Sequence, residues 1–150
     1  MSLGKSFYRS CFDVVCKKYS LSRAELDILI FLYENPDCNT AKDITEKRGI
    51  AKSNVSTAIR NLTEQNYIEG YYEGENRRTI HLRMLDKCRP LVDDINKSRK
   101  IFDNAVFDGF DEKEMAIITS FFFRLTDNIT KAKKSMQIKI KRRTSNLCWN

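Results

Sequence analysis

The segment Lys52-Ser53-Asn54-Val55-Ser56-Thr57-Ala58-Ile59-Arg60-Asn61-Leu62 gathers short hydrogen-bonding side chains in a pattern suited to one kind of chemistry. Val55, Ala58, Ile59 and Leu62 recur at i, i+3, i+4 and i+7, the spacing of an apolar stripe along a helix. Ser53, Asn54, Ser56, Thr57, Arg60 and Asn61 fill the other face, and Arg60 alone among them is charged. A merely solvated face more usually carries Lys and Glu. Short donors and acceptors with one Arg suit base edges in a DNA groove, where partners must meet at fixed geometry. Standing alone, the segment would read as an ordinary amphipathic surface helix. Its neighbours decide otherwise.

Upstream, Thr40-Ala41-Lys42-Asp43 places an acid three residues after a Thr, the pattern of a helix start. Ile44 gives that short helix a buried side, and Arg48-Gly49-Ile50 ends it with Gly at the left-handed position. A short helix, a Gly-containing turn and a polar-faced helix over 52–65 make a helix-turn-helix. Downstream, Asn66 takes a left-handed cap and the period changes from helix to strand. Ile68 and Tyr72 alternate with polar positions, Glu73-Gly74-Glu75-Asn76 makes a turn, and Thr79-Ile80-His81-Leu82-Arg83-Met84 alternates again. The result is a β-hairpin with Arg77 and Arg78 at its tip. A helix-turn-helix followed by such a hairpin is a winged helix.

The flanking segments must position that unit. Phe7, Cys11, Val15 and Tyr19 share one i+4 row, with Tyr8, Phe12 and Val14 beside them. A helix apolar over more than one face packs against more than its own domain, so a second subunit is expected here. Ser22 and Glu25 form a capping box, Leu21 and Leu26 a hydrophobic staple, and Leu26, Leu29, Ile30 and Tyr33 continue the stripe to Asn35-Pro36-Asp37. Beyond Asp86, Leu91, Ile95, Arg99 and Phe102 mark a long helix with Pro90 in its first turn. Asp108-Gly109-Phe110 breaks it. Asp111 and Glu114 open a last helix whose Ile117, Ile118, Phe121, Phe122, Phe123, Leu125 and Ile129 exceed what one monomer needs to bury. The fold class is therefore mostly α with a small β-hairpin: one chain with a winged-helix lobe over 21–86, dimerisation helices over 5–20 and 87–135, and a basic tail over 136–150.

Composition bounds the function. The chain has 150 residues, 41% hydrophobic and 31% charged, ordinary for a folded domain. Its net charge is +7, but Lys131, Lys133, Lys134, Lys139, Lys141, Arg142 and Arg143 alone account for that excess. The body is near neutral, and nucleic-acid binding must be argued from pattern rather than from charge. The N-terminus lacks the apolar run of a secretory signal, and no segment is apolar enough for a membrane span, so a cytoplasmic protein with no membrane partner is expected. Five cysteines without a C-x-x-C pair argue against a disulfide framework or a zinc site. Cys11 and Cys16 point about 140° apart on a helix and would not bond to each other within a chain. His81, the lone histidine, has no spaced partners and reads as a surface residue. No Gly-rich phosphate loop, nucleophile–base–orienter set or metal-ligand spacing appears. No enzyme, cofactor, catalytic residue or metal is expected.

This order of elements resembles the MarR (multiple antibiotic resistance regulator) family of transcription factors. The likeness runs from Leu21 to about Ile129 and is most specific in two places. Ile50 to Ile68 is similar to the family's recognition helix entering a strand, with Asn66 where Gly is usual. Asn76-Arg77-Arg78 and Leu82-Arg83-Met84-Leu85-Asp86-Lys87 are similar to its wing. The resemblance implies a homodimeric repressor on a pseudo-palindromic double-stranded operator, with recognition helices in major grooves and wing arginines in minor grooves. Its expected DNA-binding residues are Lys52, Ser53, Asn54, Ser56, Thr57, Arg60, Arg77 and Arg78. Arg78 is assigned to the minor groove and Lys52 and Arg77 to phosphates, while Arg60 would equally pair with Glu64. It also implies release by a small aromatic or anionic effector, with Tyr8, Phe12 and Tyr33 as pocket residues. The sequence departs from the pattern at Ala51, where a capping Ser is usual, at Thr57, where many members carry a base, and at Asn76, where Asp is usual. The competing reading is a winged-helix protein-interaction module without sequence-specific DNA binding.

Overall fold

A computed structural model describes residues 3–146 of the chain, with the side chains of 133, 134 and 137–146 left aside. The chain divides into a unit ending at Val106 and a unit from Phe107 onward. The first holds helices α1 (Leu3–Tyr19), α2 (Arg23–Glu34), α3 (Ala41–Arg48) and α4 (Lys52–Glu64), strands β1 (Ile68–Tyr71) and β2 (His81–Met84), a 3-10 turn (Asp86–Cys88) and α5 (Arg89–Val106).

Local chemistry sets most boundaries. Ser22 and Glu25 form the expected capping box on α2, and Thr40 and Asp43 form one on α3. Ser20, Gly49 and Asn66 sit at φ of 53°, 66° and 59° and turn the chain between helices. The core joins Phe12 and Val15 of α1, Leu26 to Leu32 of α2, Ile44, Val55, Leu62, Ile68, Leu82, Leu91 and Ile95. It buries the inward face of every element around α2.

The hairpin differs from expectation in its loop. The strands pair antiparallel with Ile68 opposite Met84 and Tyr71 opposite His81. The Glu73–Asn76 turn is present, its ends joined by Asn76 N–H donating to the Glu73 carbonyl at 3.2 Å. Pairing resumes only at His81, which leaves 72–80 as a long wing loop and Ile80 outside the strand. Ile80 lies over Gly70 so closely that a Cβ there would stand 2.8 Å from its Cγ2. An isolated bridge to the hairpin also escaped the period-two pattern. Thr40 bridges His81, and the Asn39 carbonyl accepts from Leu82 N–H at 2.8 Å.

Helix α1 lies along α5 and is clasped there by Asp94, whose Oδ2 accepts from Lys18 at 2.5 Å and Tyr19 OH at 2.9 Å while Oδ1 accepts from Lys97 at 3.2 Å. The Lys18 bond, then those of Tyr19 and Lys97, hold the Asp94 carboxyl down at about 2, against an ordinary 3.8. A carboxylate depressed in the folded state stabilises above its unfolded pKa and loses that contribution as pH falls through the folded value. Asp94→Asn is therefore expected to lower stability at neutral pH and to flatten the decline between pH 3.8 and 2, read by urea midpoints across that range. A variant curve parallel to wild type would remove the clasp from the acid response.

The second unit is dominated by α6 (Glu112–Asn146), opened by Asp111 and Glu114, whose side chains each accept the other's backbone N–H at 2.8 and 2.9 Å. Its Ile117, Phe121, Phe122, Phe123, Leu125 and Ile129 are exposed. The helix runs through the start of the region expected to be a tail, because no Gly or Pro follows Asp111 to stop it. Lys131 pairs with Asp127 at 2.6 Å; the remaining basic residues of the expected tail lie outside the described side chains. Among the described residues no helix is long and apolar enough to cross a membrane.

Candidate nucleic-acid interface

Helix α4 is seated by Val55, Ala58 and Leu62, all buried against α2 and α3. At 100° per residue, Ser53, Thr57 and Arg60 then occupy a sector about 60° wide opposite that seat. All three are exposed, as are Lys52, Asn54 and Ser56. Ser56 and Lys52 line the α3 side, where they share a cleft with Lys42, Thr45 and Glu46. Asn54 and Thr57 border the start of α2, beside Ser22 and Ala24. Arg60 enters no ion pair among the described residues, so the expected alternative pairing with Glu64 is not formed.

The N-terminus of α4 is open. Ala51 holds the cap position at φ −57° and ψ 138° and supplies no side-chain hydrogen bond. Orphan N–H groups at a helix start carry partial positive charge and form a ready site for an anion such as a backbone phosphate. Ala51→Ser is expected to restore a side-chain cap and raise stability by about 1 kcal/mol. A urea midpoint unchanged from wild type would mean that the serine finds no N–H to accept. At the other end, Lys87 Nζ donates to the Gln65 carbonyl at 2.7 Å and stands 4.5 Å from the Tyr67 ring, closing the C-terminus of α4.

The wing loop presents Arg77 and Arg78, both exposed. Asn76 Oδ1 accepts from Arg78 backbone N–H at 3.0 Å, so Asn76 shapes the loop beneath the arginine, whose guanidinium has no partner among the described residues. The Arg77 guanidinium lies 5.4 Å from the Tyr72 ring. Behind the loop, His81 is more than a surface residue. Its Nδ1 lies 2.6 Å from Asn39 Oδ1, its Nε2 3.6 Å from Glu73 Oε2, and Asn39 Nδ2 donates to Tyr71 OH at 3.0 Å. Arg83, which alternation placed on the polar side, pairs with Glu69 across the hairpin at 2.6 Å.

Three residues of this surface lie outside the expected set. Asn61, counted on the polar face, turns inward, and its Nδ2 donates to Glu25 Oε1 at 2.8 Å. Asn39 and His81 anchor the hairpin to the segment that leads into α3. Only the Glu25 capping box had a local signature; the contacts themselves join residues far apart in sequence.

The expected effector residues sit in different surroundings. Phe12 is 0% exposed and belongs to the core, as expected of a bulky ring on the seam of α1 drawn into the apolar interior. Tyr8 is half-buried with its ring 4.6 Å from Phe12 and 5.2 Å from Phe102, and the Arg23 guanidinium stands 5.5 Å from Tyr8. Tyr33 is exposed and lines an open cleft of about 470 Å³ with Met84, Leu85, Cys88, Arg89 and Val92. Cys88 at its floor is a buried thiol, pushed up to about 11 by burial, that donates to the Tyr67 carbonyl at 3.0 Å. Among the described residues no three His, Cys, Asp or Glu side chains gather as metal ligands.

A model described as "MarR family" matches residues 19–78, which hold α2 to α4, β1 and most of the wing loop. The HTH-type transcriptional regulator BilQ of Clostridioides difficile strain CD3 is 26% identical over 113 residues, 75% of each chain. A MarR transcriptional regulator from Methanosarcina mazei Go1 superposes with a TM-score of 0.70 at 20% identity, covering 85% of this chain and 93% of that one. A MarR family regulator from Listeria monocytogenes, solved with a 26mer DNA, superposes with a TM-score of 0.67 at 19% identity, covering 82% and 83%. At these identities the solved structures establish the fold.

Proposed function

We propose, from the MarR family model that matches residues 19–78, that the chain is a MarR-type regulator acting as a homodimeric, sequence-specific DNA-binding repressor. The observation that carries this reading is the outward face of α4. Ser53, Thr57 and Arg60 stand exposed opposite the helix seat, with an uncapped N-terminus and two exposed wing arginines beside them. Thr57 and Ser53 would read base edges, Lys52 and Arg77 would meet phosphates, and Arg78 would enter a minor groove. The Listeria relative with its 26mer DNA supports the same use of this fold.

The exposed apolar side chains Leu3 and Val14 of α1 and Phe121 and Phe123 of α6 support a second copy as the partner that covers them. Two copies would read a pseudo-palindrome, with half-sites about 34–36 Å apart. The Tyr33 cleft, with Arg89 at its rim and Met84, Leu85 and Val92 in its wall, suits a small aromatic anion as the releasing effector. The protein would act in the cytoplasm.

Selection of bound duplexes from a randomised pool tests the reading, followed by fluorescence anisotropy on the selected and a scrambled duplex at 50 and 200 mM salt. A palindromic consensus is expected, with affinity falling on the order of a thousandfold over that salt range if the dimer neutralises about six phosphates. A pool that returns no consensus would favour the competing role as a protein-interaction module.

A further inference from the structure

Among the described residues Glu25 is the only charged one that is buried, at 4% exposed, and it enters no ion pair. Capping α2 needs one carboxylate oxygen: Oε2 accepts from Ser22 backbone N–H at 2.7 Å. The other oxygen is left for Asn61 of α4, which donates at 2.8 Å across a sequence separation of 36 residues. Burial pushes this carboxyl up, and the hydrogen bonds of Asn61 and Ser22 more than offset it, so the group stays ionised and its demand for donors is strong.

Apolar contact seats α4 but does not aim it. The hydrophobic effect is non-directional, and the seat centres on the small Ala58 between Val55 and Leu62. A roll of about 20° on that seat would carry a side-chain tip on a helix of 5–6 Å radius through about 2 Å, enough to lose a base contact. A charged hydrogen bond from the flank of the helix is directional and resists that roll. Asn61 would otherwise project beside Asn54 toward solvent.

We infer that Glu25 and Asn61 are positioning residues for DNA reading: their hydrogen bond sets the roll of α4 and so the aim of Ser53, Thr57 and Arg60. This rests on the DNA-binding role proposed above and assigns sequence discrimination to a pair that touches no DNA.

The test uses the full-length protein, a selected duplex and a scrambled duplex of the same composition. Asn61→Ala removes the donor and is expected to lower the ratio of selected to scrambled affinity about tenfold, with scrambled binding within about twofold of wild type. Asn61→Asp sets two carboxylates against each other and is expected to do the same or more. In the double variant Glu25→Gln with Asn61→Asp, donor and acceptor are exchanged and the net charge matches wild type. It is expected to recover the ratio, which a loss of fold would not do. Circular dichroism and thermal melts accompany each variant, and the double variant carries the comparison if Asn61→Ala fails to fold. A folded Asn61→Ala with the wild-type ratio overturns the inference, and so does a double variant that folds yet stays as unselective as Asn61→Asp. A wild-type protein with no preference for any selected duplex overturns the DNA-reading role and this inference with it. Only the last of these results touches the proposed function.

Discussion

Phe12→Ala is expected to destabilise the protein by about 3–5 kcal/mol, the range for emptying a buried aromatic site. Phe12 is 0% exposed on α1, and its ring meets Tyr8 at 4.6 Å and the Arg23 guanidinium at 5.5 Å. Truncation removes the ring from the seam that holds α1 to the rest of its unit. The cavity would not collapse readily, because Leu26, Leu29 and Ile95 around the same core are fixed on two other helices. Arg23 would also lose one of the two rings beside it, and its Nη1 is already buried without a hydrogen-bond partner. Urea unfolding at several protein concentrations reads the effect and separates it from any contribution of subunit association. The same experiment distinguishes core from pocket. If Phe12 lined an effector site, Phe12→Ala would leave the midpoint near wild type and weaken effector binding instead.

Much of the fold was legible because its signals are local. The capping boxes Ser22–Glu25, Thr40–Asp43 and Asp111–Glu114 span four residues each, and all three form. The left-handed positions Gly49 and Asn66 follow from the residue types alone. What escaped is tertiary. Asn61 and Arg60 look alike as polar neighbours on a helix, yet one meets Glu25 and the other faces outward, and the choice is made by where α2 begins. His81 alternates correctly for an outward residue, but the chain at Asn39 folds over it. Period-two alternation carried Thr79 and Ile80 into a strand because it cannot register Gly74 at φ 56° or the Asn76 side chain holding Arg78 N–H. For the candidate site, the residue types on α4 and the wing were readable; which of them remain free to touch a partner was not.

Arg78→Ala is expected to weaken binding to a selected duplex by about 1–3 kcal/mol and to relax its preference at A·T-rich flanking positions. Arg77→Ala is expected to weaken all duplexes nearly alike and to reduce the salt slope by about one per subunit. The structure gives a reason for the difference. Arg77 is drawn back over Tyr72, which suits a charge held beside the backbone. Arg78 has its own N–H fixed by Asn76 and its guanidinium without a partner among the described residues, so its loop is set while its side chain remains available. Arg78→Lys decides what the residue does. A lysine keeps the positive charge, and would retain most of the affinity if the arginine only neutralised a phosphate. It lacks the planar fork and binds its hydration water more tightly, so it would recover little of a contact made within a narrow groove. Anisotropy titrations of Arg78→Lys against duplexes with A·T-rich and G·C-rich flanks therefore place the wing. Loss confined to the A·T-rich duplex puts Arg78 in the groove, and equal binding to both by wild type and variant takes it out.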